Sequence, residues 1–137
     1  MAGEFFVDTS GFFALLNSDD PMHTRAKEFM ATAARTRRRG STTDWVVGEC
    51  CTLLVARRKP HLVTTLLDIT EGSAALAVSH LDRDFLQRTR GFLRRHLDHA
   101  YSFTDCASFV LMQESGVREA LTTDSHFTEA GFTALLR

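Results

Sequence analysis

The sequence has few of the residues that cross-link a chain, with only three cysteines among its 137 positions. Three cysteines cannot all pair, and Cys50 and Cys51 are neighbours inside an apolar helical pattern. We therefore expect free, buried thiols in a reducing compartment rather than disulfides. No Cys-x-x-Cys or His-x-x-x-His spacing offers a site for a soft metal ion.

Long apolar runs and nucleotide-binding loops are also missing. No run approaches the roughly 20 apolar residues that a membrane-spanning helix needs, and the start, Met-Ala-Gly-Glu, lacks the basic flank of a signal peptide. We therefore expect a cytoplasmic protein with no membrane contact. The absence of a Gly-x-x-x-x-Gly-Lys-Ser/Thr loop argues against ATP or GTP as a nucleotide cofactor.

The composition is that of a globular protein, with 44% hydrophobic and 24% charged residues. The length predicts a single domain over residues 1–137. A net charge of −1 argues against a generally basic nucleic-acid binder, but 14 of the 16 basic residues are arginine. If four of the 17 acids surround a metal ion, 13 acids remain against 16 bases. Arginine forms bidentate contacts with phosphate, so a phosphate-bearing partner remains compatible with this charge.

Hydrophobic periodicity predicts short strands that alternate with helices. The predicted strands are 4–8, 41–45, 74–81, 118–123 and 132–136. The predicted helices are 11–17, 22–36, 46–58, 61–70, 82–99 and 103–115. This alternation is typical of an α/β fold, a three-layer α/β/α sandwich with a central, mainly parallel sheet of four or five strands.

Four acidic residues are predicted to lie at one edge of this sheet. Asp8 and Asp124 follow the first and fourth strands, and Glu49 and Asp105 are placed in the first turns of helices. In open α/β sheets, ligands bind beyond the carboxyl ends of the strands, which right-handed crossovers bring to one edge. The sequence therefore predicts a cluster of four carboxylates from four segments.

Each acid also has a purely structural interpretation. Asp8 can form an Asx turn, Asp105 fits a capping box with Ser102, and Asp124 can cap the short segment after it. Glu49 is harder to explain in this way, because it interrupts an otherwise apolar helix. The cluster favours a functional interpretation over four separate structural ones.

A cluster of carboxylates needs a compensating cation, since like charges and burial raise carboxyl pKa values. Mg²⁺ and Mn²⁺ prefer oxygen ligands, and both ions suit phosphoryl chemistry because they neutralise phosphate charge and activate water. The sequence lacks a loop for ATP or GTP, so a nucleic-acid phosphodiester is the substrate class that this pattern favours.

The four motifs together resemble the PIN-domain nucleases, especially the VapC-type ribonuclease toxins of type II toxin–antitoxin systems. Their segments are "FFVDTSGFFALLNSDDP" around Asp8, "STTDWVVGECCTLLVAR" around Glu49, "YSFTDCASFVLM" around Asp105 and "ALTTDSHFTEAGF" around Asp124. The resemblance extends from residue 4 to about residue 133. It implies a metal-dependent endoribonuclease, usually a homodimer, that leaves a 5′-phosphate and a 3′-hydroxyl.

The resemblance also implies roles for individual residues. Asp8, Glu49 and Asp105 would hold the principal Mg²⁺ or Mn²⁺ ion, and Asp124 would complete the acidic pocket, directly or through water. Ser10 would be a supporting polar group on the phosphate side. Thr104 would orient the neighbouring carboxylate.

Three further residues are candidates for RNA contact. His126 occupies a position where some relatives carry another acid, and it is either a surface turn residue or a ligand of RNA phosphate. Arg38 and Arg39 belong to a basic run at 35–39, which is otherwise a solvated loop; arginines at 57–58 and 83–95 are further candidates. Asp44 is expected to cap a helix or to lie in a surface turn, outside the metal set. Most phenylalanines lie at core spacing, and none is assigned as an RNA platform.

A ribonuclease of this type would have a cognate antitoxin as partner. The stretches Phe12–Leu16 and Phe29–Met30 are candidates for the antitoxin groove, or else belong to a dimer interface or the core. Two alternatives stay open: a stand-alone RNA-processing nuclease, and a non-catalytic RNA-binding or scaffold PIN domain. The presence of all four acids argues against the second alternative.

Overall fold

The computed structural model describes residues 3–137, which form a five-stranded sheet and seven helices. The strands are β1 (Phe5–Val7), β2 (Gly40–Thr43), β3 (Leu76–Ser79), β4 (Glu119–Leu121) and β5 (Thr133–Ala134). The helices are α1 (Thr9–Leu16), α2 (His23–Arg35), α3 (Asp44–Ala56), α4 (His61–Gly72), α5 (Arg83–Arg95), α6 (Phe103–Ser115) and α7 (Ser125–Glu129), with a 3-10 turn at Leu97–His99.

The strand order is β3-β2-β1-β4-β5, and all four pairings are parallel. The chain moves outwards from β1 through β2 to β3, then crosses back to place β4 on the other side of β1. Right-handed crossovers in the two directions put helices on opposite faces of the sheet. The predicted three-layer α/β/α sandwich with a parallel sheet is confirmed. The reversal between β1 and β4 is the point at which open sheets of this kind bind ligands.

The core is rich in phenylalanine. Five phenylalanine side chains are almost completely buried, namely Phe5, Phe6, Phe12, Phe109 and Phe127. All three cysteines are free, as predicted, with Cys50 and Cys106 buried. Across residues 3–137, no helix combines the length and apolarity that crossing a membrane requires.

Two helices begin earlier than the periodicity predicts. Asp8 is the N-cap of α1, so that helix starts directly after the first strand. The Thr43 hydroxyl accepts a hydrogen bond from the Val46 N–H and caps α3, which therefore begins at Asp44. The predicted strand 41–45 was thus too long at its end. As a result, Glu49 lies in the second turn of its helix and not in the first.

The predicted helix at 82–99 is interrupted in the structure. Helix α5 ends at Arg95, because His96 leaves the helical region with φ −128° and its Nδ1 lies 2.8 Å from the Phe92 carbonyl oxygen. A 3-10 turn follows, and Ala100 then adopts a left-handed conformation with φ 60°. This break turns the chain so that α6 can begin close to α7 and the carboxyl edge of the sheet.

Candidate active site

The most deeply buried acid is Asp8, which is only 4% exposed at the end of β1. Its Oδ2 accepts a hydrogen bond of 2.9 Å from the Thr122 hydroxyl, which follows β4. Because the single hydroxyl proton of Thr122 is donated to Asp8, Thr122 Oγ1 acts as the acceptor for the Ser10 hydroxyl, which lies 3.0 Å away. These contacts join the ends of the two strands that flank the topological switch point.

The environment of Asp8 disfavours its charged form. Burial raises the pKa of Asp8 from 3.8 to about 7, and the charges of Asp105 and Asp124 add to the rise, against the lowering effect of its hydrogen bonds. The α1 helix takes no side-chain cap from Asp8. The carboxylate is therefore not explained as a cap, and its charge lacks a compensating cation within the described chain, residues 3–137.

Asp105, Asp124 and His126 form the second part of the site. One ligand atom from each lies within 4.8 Å of the other two. His126 Nδ1 is 3.0 Å from Asp105 Oδ2 and 3.6 Å from Asp124 Oδ1. Burial lowers the pKa of His126, but its hydrogen bond to Asp105 and the nearby acids outweigh that effect and raise it. For Asp105, burial has the opposite effect and raises the pKa, although its hydrogen bonds to Ser102 and His126 offset part of the rise.

Both of these acids also serve the structural roles that the sequence suggests. Asp105 and Ser102 form a reciprocal capping box at the start of α6. The Asp124 carboxylate accepts from the His126 N–H and caps α7. Capping uses one oxygen of each carboxylate, which leaves the other oxygen for a ligand. The two interpretations are therefore compatible for the same side chain.

Glu49 approaches the site from α3. Its Oε1 accepts a hydrogen bond of 2.9 Å from the Thr9 hydroxyl, and Thr9 directly follows Asp8 in the chain. Glu49 is exposed, and it lines a pocket together with Thr104, which directly precedes Asp105. The structure thus brings all four predicted acids to the carboxyl edge of the sheet.

This arrangement fits a divalent cation. Carboxylate oxygens dominate the set, Asp8 lies where its charge is unfavourable without a cation, and three further ligand atoms are already close together. Hard cations such as Mg²⁺ and Mn²⁺ match such oxygen ligands. The described residues therefore support a metal ion at this edge.

Three supporting predictions fare differently. Ser10 lies beside Asp8 as predicted, and its Oγ also accepts from the Thr123 N–H at 2.9 Å. Thr104 was predicted to orient Asp105, and this was wrong: within residues 3–137, Asp105 is held by the Ser102 N–H and by His126. His126 lies inside the acid cluster, so its interpretation as a surface turn residue was wrong as well.

The basic run lies away from the acids. Arg38 donates to Glu119 at 2.6 Å and to the Gly3 carbonyl, and Arg39 donates to the Ala74 carbonyl. These partners are at the amino ends of the strands, opposite to the carboxylates. The structure does not bring Arg38 and Arg39 to the predicted site, and we leave both out of the proposed RNA-binding surface.

The two apolar stretches considered for an antitoxin groove differ in burial. Phe12, Phe13 and Ala14 are buried in the core, which was one of the interpretations left open. Leu15, Leu16, Phe29 and Met30 are partly buried against the core. Phe29 packs edge-on against Phe5, with ring centroids 4.9 Å apart.

Asp44 is in the first turn of α3 but does not cap it, since Thr43 does. Its carboxylate lies 2.8 Å from Nδ1 of His80. This contact keeps Asp44 at the rim of the site, in agreement with its exclusion from the metal set.

Sequence reasoning missed three residues of the site. Thr122 and Thr9 position Asp8 and Glu49, and the Arg137 guanidinium donates to the Thr123 carbonyl at 3.0 Å, next to Asp124. For Thr122, its position at the end of a predicted strand was the one feature of the sequence that could have indicated a place in the site. Arg137 reaches the site only through the path of the final strand, which no local pattern encodes.

Comparisons with known proteins agree with this geometry. A family model for the PIN domain matches residues 5–133. The chain is 35% identical over 127 residues to the 23S rRNA-specific endonuclease VapC20, found in two strains of Mycobacterium tuberculosis; the match covers 93% of this chain and 94% of the relative. The crystal structure of Mycobacterium tuberculosis VapC20, a sarcin-ricin loop cleaving toxin, superposes with a TM-score of 0.85 at 32% identity, covering 94% of this chain and 96% of that one. The chain belongs to the PIN-domain family.

Proposed function

We propose that the protein is a metal-dependent endoribonuclease of the VapC type that hydrolyses RNA phosphodiester bonds. The observation that carries this proposal is the convergence of four carboxylates on the switch point of the sheet. One of them, Asp8, is buried with no cation beside it in the described chain. Membership of the PIN family and similarity to an endonuclease along 93% of the chain support the same activity.

The residues that would hold the ion are Asp8, Glu49, Asp105 and Asp124. Oxygen ligands favour Mg²⁺ or Mn²⁺. When bound, such an ion neutralises charge on the phosphate and lowers the pKa of a water molecule.

The protein contributes rigid placement of these acids. Thr122 fixes the rotamer of Asp8, and Thr9 fixes that of Glu49. The backbone N–H of Ser102 and the imidazole of His126 both contact Oδ2 of Asp105, which leaves Oδ1 free. Such supporting hydrogen bonds keep carboxylates oriented in spite of their mutual repulsion. The N–H groups in the first turn of α6 point towards the same edge and favour an anionic substrate there.

We further propose that the substrate is 23S rRNA and that cleavage falls in its sarcin–ricin loop, in the cytoplasm where ribosomes act. The support is the similarity to VapC20, named as a 23S rRNA-specific endonuclease and a sarcin-ricin loop cleaving toxin. The same similarity supports a cognate antitoxin as partner. A homodimer is proposed because Val55 and Leu67 expose apolar surface on α3 and α4.

Cleavage of purified ribosomes tests the activity. Wild-type protein with Mg²⁺ or Mn²⁺ is expected to cut 23S rRNA at one position, mapped by primer extension, and EDTA is expected to abolish the cut. Asp105→Asn should slow cleavage by about 100-fold or more, because metal assistance supplies several kcal/mol to such reactions. Asp68→Asn, which alters an exposed acid on α4, serves as the matched control. Undiminished cleavage in EDTA would refute the metal mechanism.

Two further measurements test the partners. Induced expression is expected to arrest growth, and co-expression of the neighbouring small gene's product is expected to restore it; unchanged growth in both cases would exclude a toxin. Light scattering should give a mass of twice 15.3 kDa for a homodimer. A mass of one chain at micromolar concentration would exclude it.

A further inference from the structure

The only tryptophan of the chain lies exposed beside the proposed active site. Trp45 is in the first turn of α3, at the carboxyl end of β2, and is 43% exposed. Its ring contacts Phe103, with centroids 4.9 Å apart and an angle of 38° between the planes. Phe103 begins α6 and holds the indole from below. An exposed aromatic pair of this kind is a surface that a flat ligand can cover.

The pair is continuous with the carboxylates. Trp45 precedes Glu49 by four residues, so both project from the same face of α3. Phe103 precedes Asp105 by two residues in the first turn of α6. A pocket of about 380 Å³ includes Trp45, Glu49 and Thr104 in its lining. The pocket therefore joins the indole to Glu49 and to the residue that precedes Asp105.

A glycine, Gly48, also lines this pocket and leaves the backbone of α3 accessible there. Gly48 lies in the interior of α3, where glycine is the least favourable residue apart from proline. A Cβ atom built at Gly48 would meet no other atom within 4 Å, so packing within the described chain does not require glycine there. The missing side chain leaves the floor of the pocket open, one helical turn from Trp45.

We infer that Trp45, supported by Phe103, stacks on an unpaired base of the RNA next to the phosphate that is cut. This inference rests on the proposed function and specifies its substrate class. Every base has a π-face, so stacking on an indole is favourable whatever the base. A base inside an A-form duplex cannot reach the ring, whereas a base in a loop or bulge can be splayed out. The substrate is therefore single-stranded at the cleavage site.

The single tryptophan makes stacking directly measurable by its own fluorescence. The test uses the Asp105→Asn protein in EDTA, so that RNA binds without being cut, and a stem-loop RNA that carries the sarcin–ricin loop sequence. We expect saturable quenching by the stem-loop and none by a fully paired duplex of the same length. A series of stem-loops with one abasic loop nucleotide each should identify one position at which quenching is lost.

Substitutions then measure the contribution to affinity, by anisotropy of fluorescently labelled stem-loop. Trp45→Ala should weaken binding by about 5- to 150-fold, as expected for loss of one base stack, and Trp45→Phe should retain most of the affinity. Gly48→Ala should weaken binding without lowering the melting temperature, because its methyl group projects into the pocket and alanine suits the helix. Gly72→Ala, also in open space, is the matched control.

Unchanged affinity of Trp45→Ala for the stem-loop would overturn the inference, and so would equal quenching by every abasic RNA. A mass of Trp45→Ala in light scattering that is half that of wild type would also overturn it, because the indole would then contact a second copy of the chain. The nuclease proposal fails separately. If the stem-loop binds and quenches the fluorescence but the wild type does not cleave it with any metal ion, the stacking inference stands and the nuclease proposal is wrong. If Trp45→Ala cleaves as fast as wild type at every RNA concentration, the nuclease proposal stands and the stacking inference is wrong.

Discussion

At the scale of single residues, Asp8 couples the proposed function to stability. Its pKa in the folded protein, about 7, lies above the ordinary 3.8, so the folded state binds the proton more tightly than the unfolded chain. In metal-free protein, the contribution of Asp8 to stability is therefore greatest below about pH 4 and is lost as the pH rises through about 7. Three pKa units correspond to a cost of at most about 4 kcal/mol above that range.

The variant Asp8→Asn tests this coupling. Its amide oxygen still accepts from Thr122, but the side chain carries no charge. We expect the free energy of unfolding of metal-free Asp8→Asn to exceed that of wild type at about pH 8, and the difference to shrink towards about pH 5. Urea denaturation in EDTA measures it at both values. A variant that is less stable than wild type at about pH 8 would show that the buried charge is compensated.

At the same scale, His126 contacts two of the proposed ion ligands, Asp105 and Asp124, and we expect it to tune the metal preference of the site. Its imidazole lies among oxygen ligands, and imidazole favours transition metals over Mg²⁺. Replacing it by a carboxylate, His126→Asp, should raise the affinity for Mg²⁺ by about tenfold relative to Mn²⁺. Isothermal titration calorimetry measures both affinities, with His126→Asn as the neutral control. An unchanged ratio in His126→Asp would place the imidazole outside the ligand set.

At the scale of elements, Gly11 fixes how closely α1 approaches the sheet. A Cβ atom at this position would lie 2.0 Å from the carbonyl oxygen of Leu121 in β4, which is backbone and cannot move aside. The same carbonyl accepts from the Asp8 N–H. Gly11→Ala must therefore push α1 away from β4 and displace Asp8. We expect a loss of about 1–3 kcal/mol in stability, together with a loss of cleavage.

The control for this prediction is again Gly72→Ala, which meets no neighbour. Thermal denaturation and ribosome cleavage are compared for the two variants and wild type. Gly11→Ala protein that melts and cleaves like wild type would contradict the close-approach argument.

The elements also show what the sequence can predict. The alternation of short strand-like segments with helical periods was enough to predict the five strands and a mainly parallel sheet, but not the order of the strands. Helix starts were missed by two residues at Thr9 and Asp44, because each of these helices begins inside a segment that reads as strand or turn. Asp8 takes the N-cap position of α1 without a side-chain cap, whereas the Thr43 side chain caps α3. The break at His96 was missed because residues 82–99 keep a helical period that tertiary packing then overrides.

In the candidate site, too, some features could be predicted from the sequence and others could not. Asp8, Asp124 and Asp105 were predictable from their positions after strands and at a helix start, because the topology sends those ends to one edge. Glu49 was predicted in the first turn of its helix and reaches the same edge from the second. The residues that hold the acids in place could not be predicted, because Thr122, Thr9 and Arg137 act through contacts between distant segments. Arg38 was misassigned, since a basic run gives no sign of which end of the sheet it occupies.

At the scale of the whole molecule, the proposed function requires that four segments of the chain build one catalytic unit. Groups that act together lose their effects non-additively when they are replaced. The deciding measurement is the single-turnover rate of 23S rRNA cleavage for Asp8→Asn, Asp105→Asn and the double variant, each with saturating Mn²⁺. We predict that each single variant loses about 100-fold or more and that the double variant loses no more than the worse single one. A single variant that cleaves at the wild-type rate, or losses that multiply in the double variant, would contradict the account.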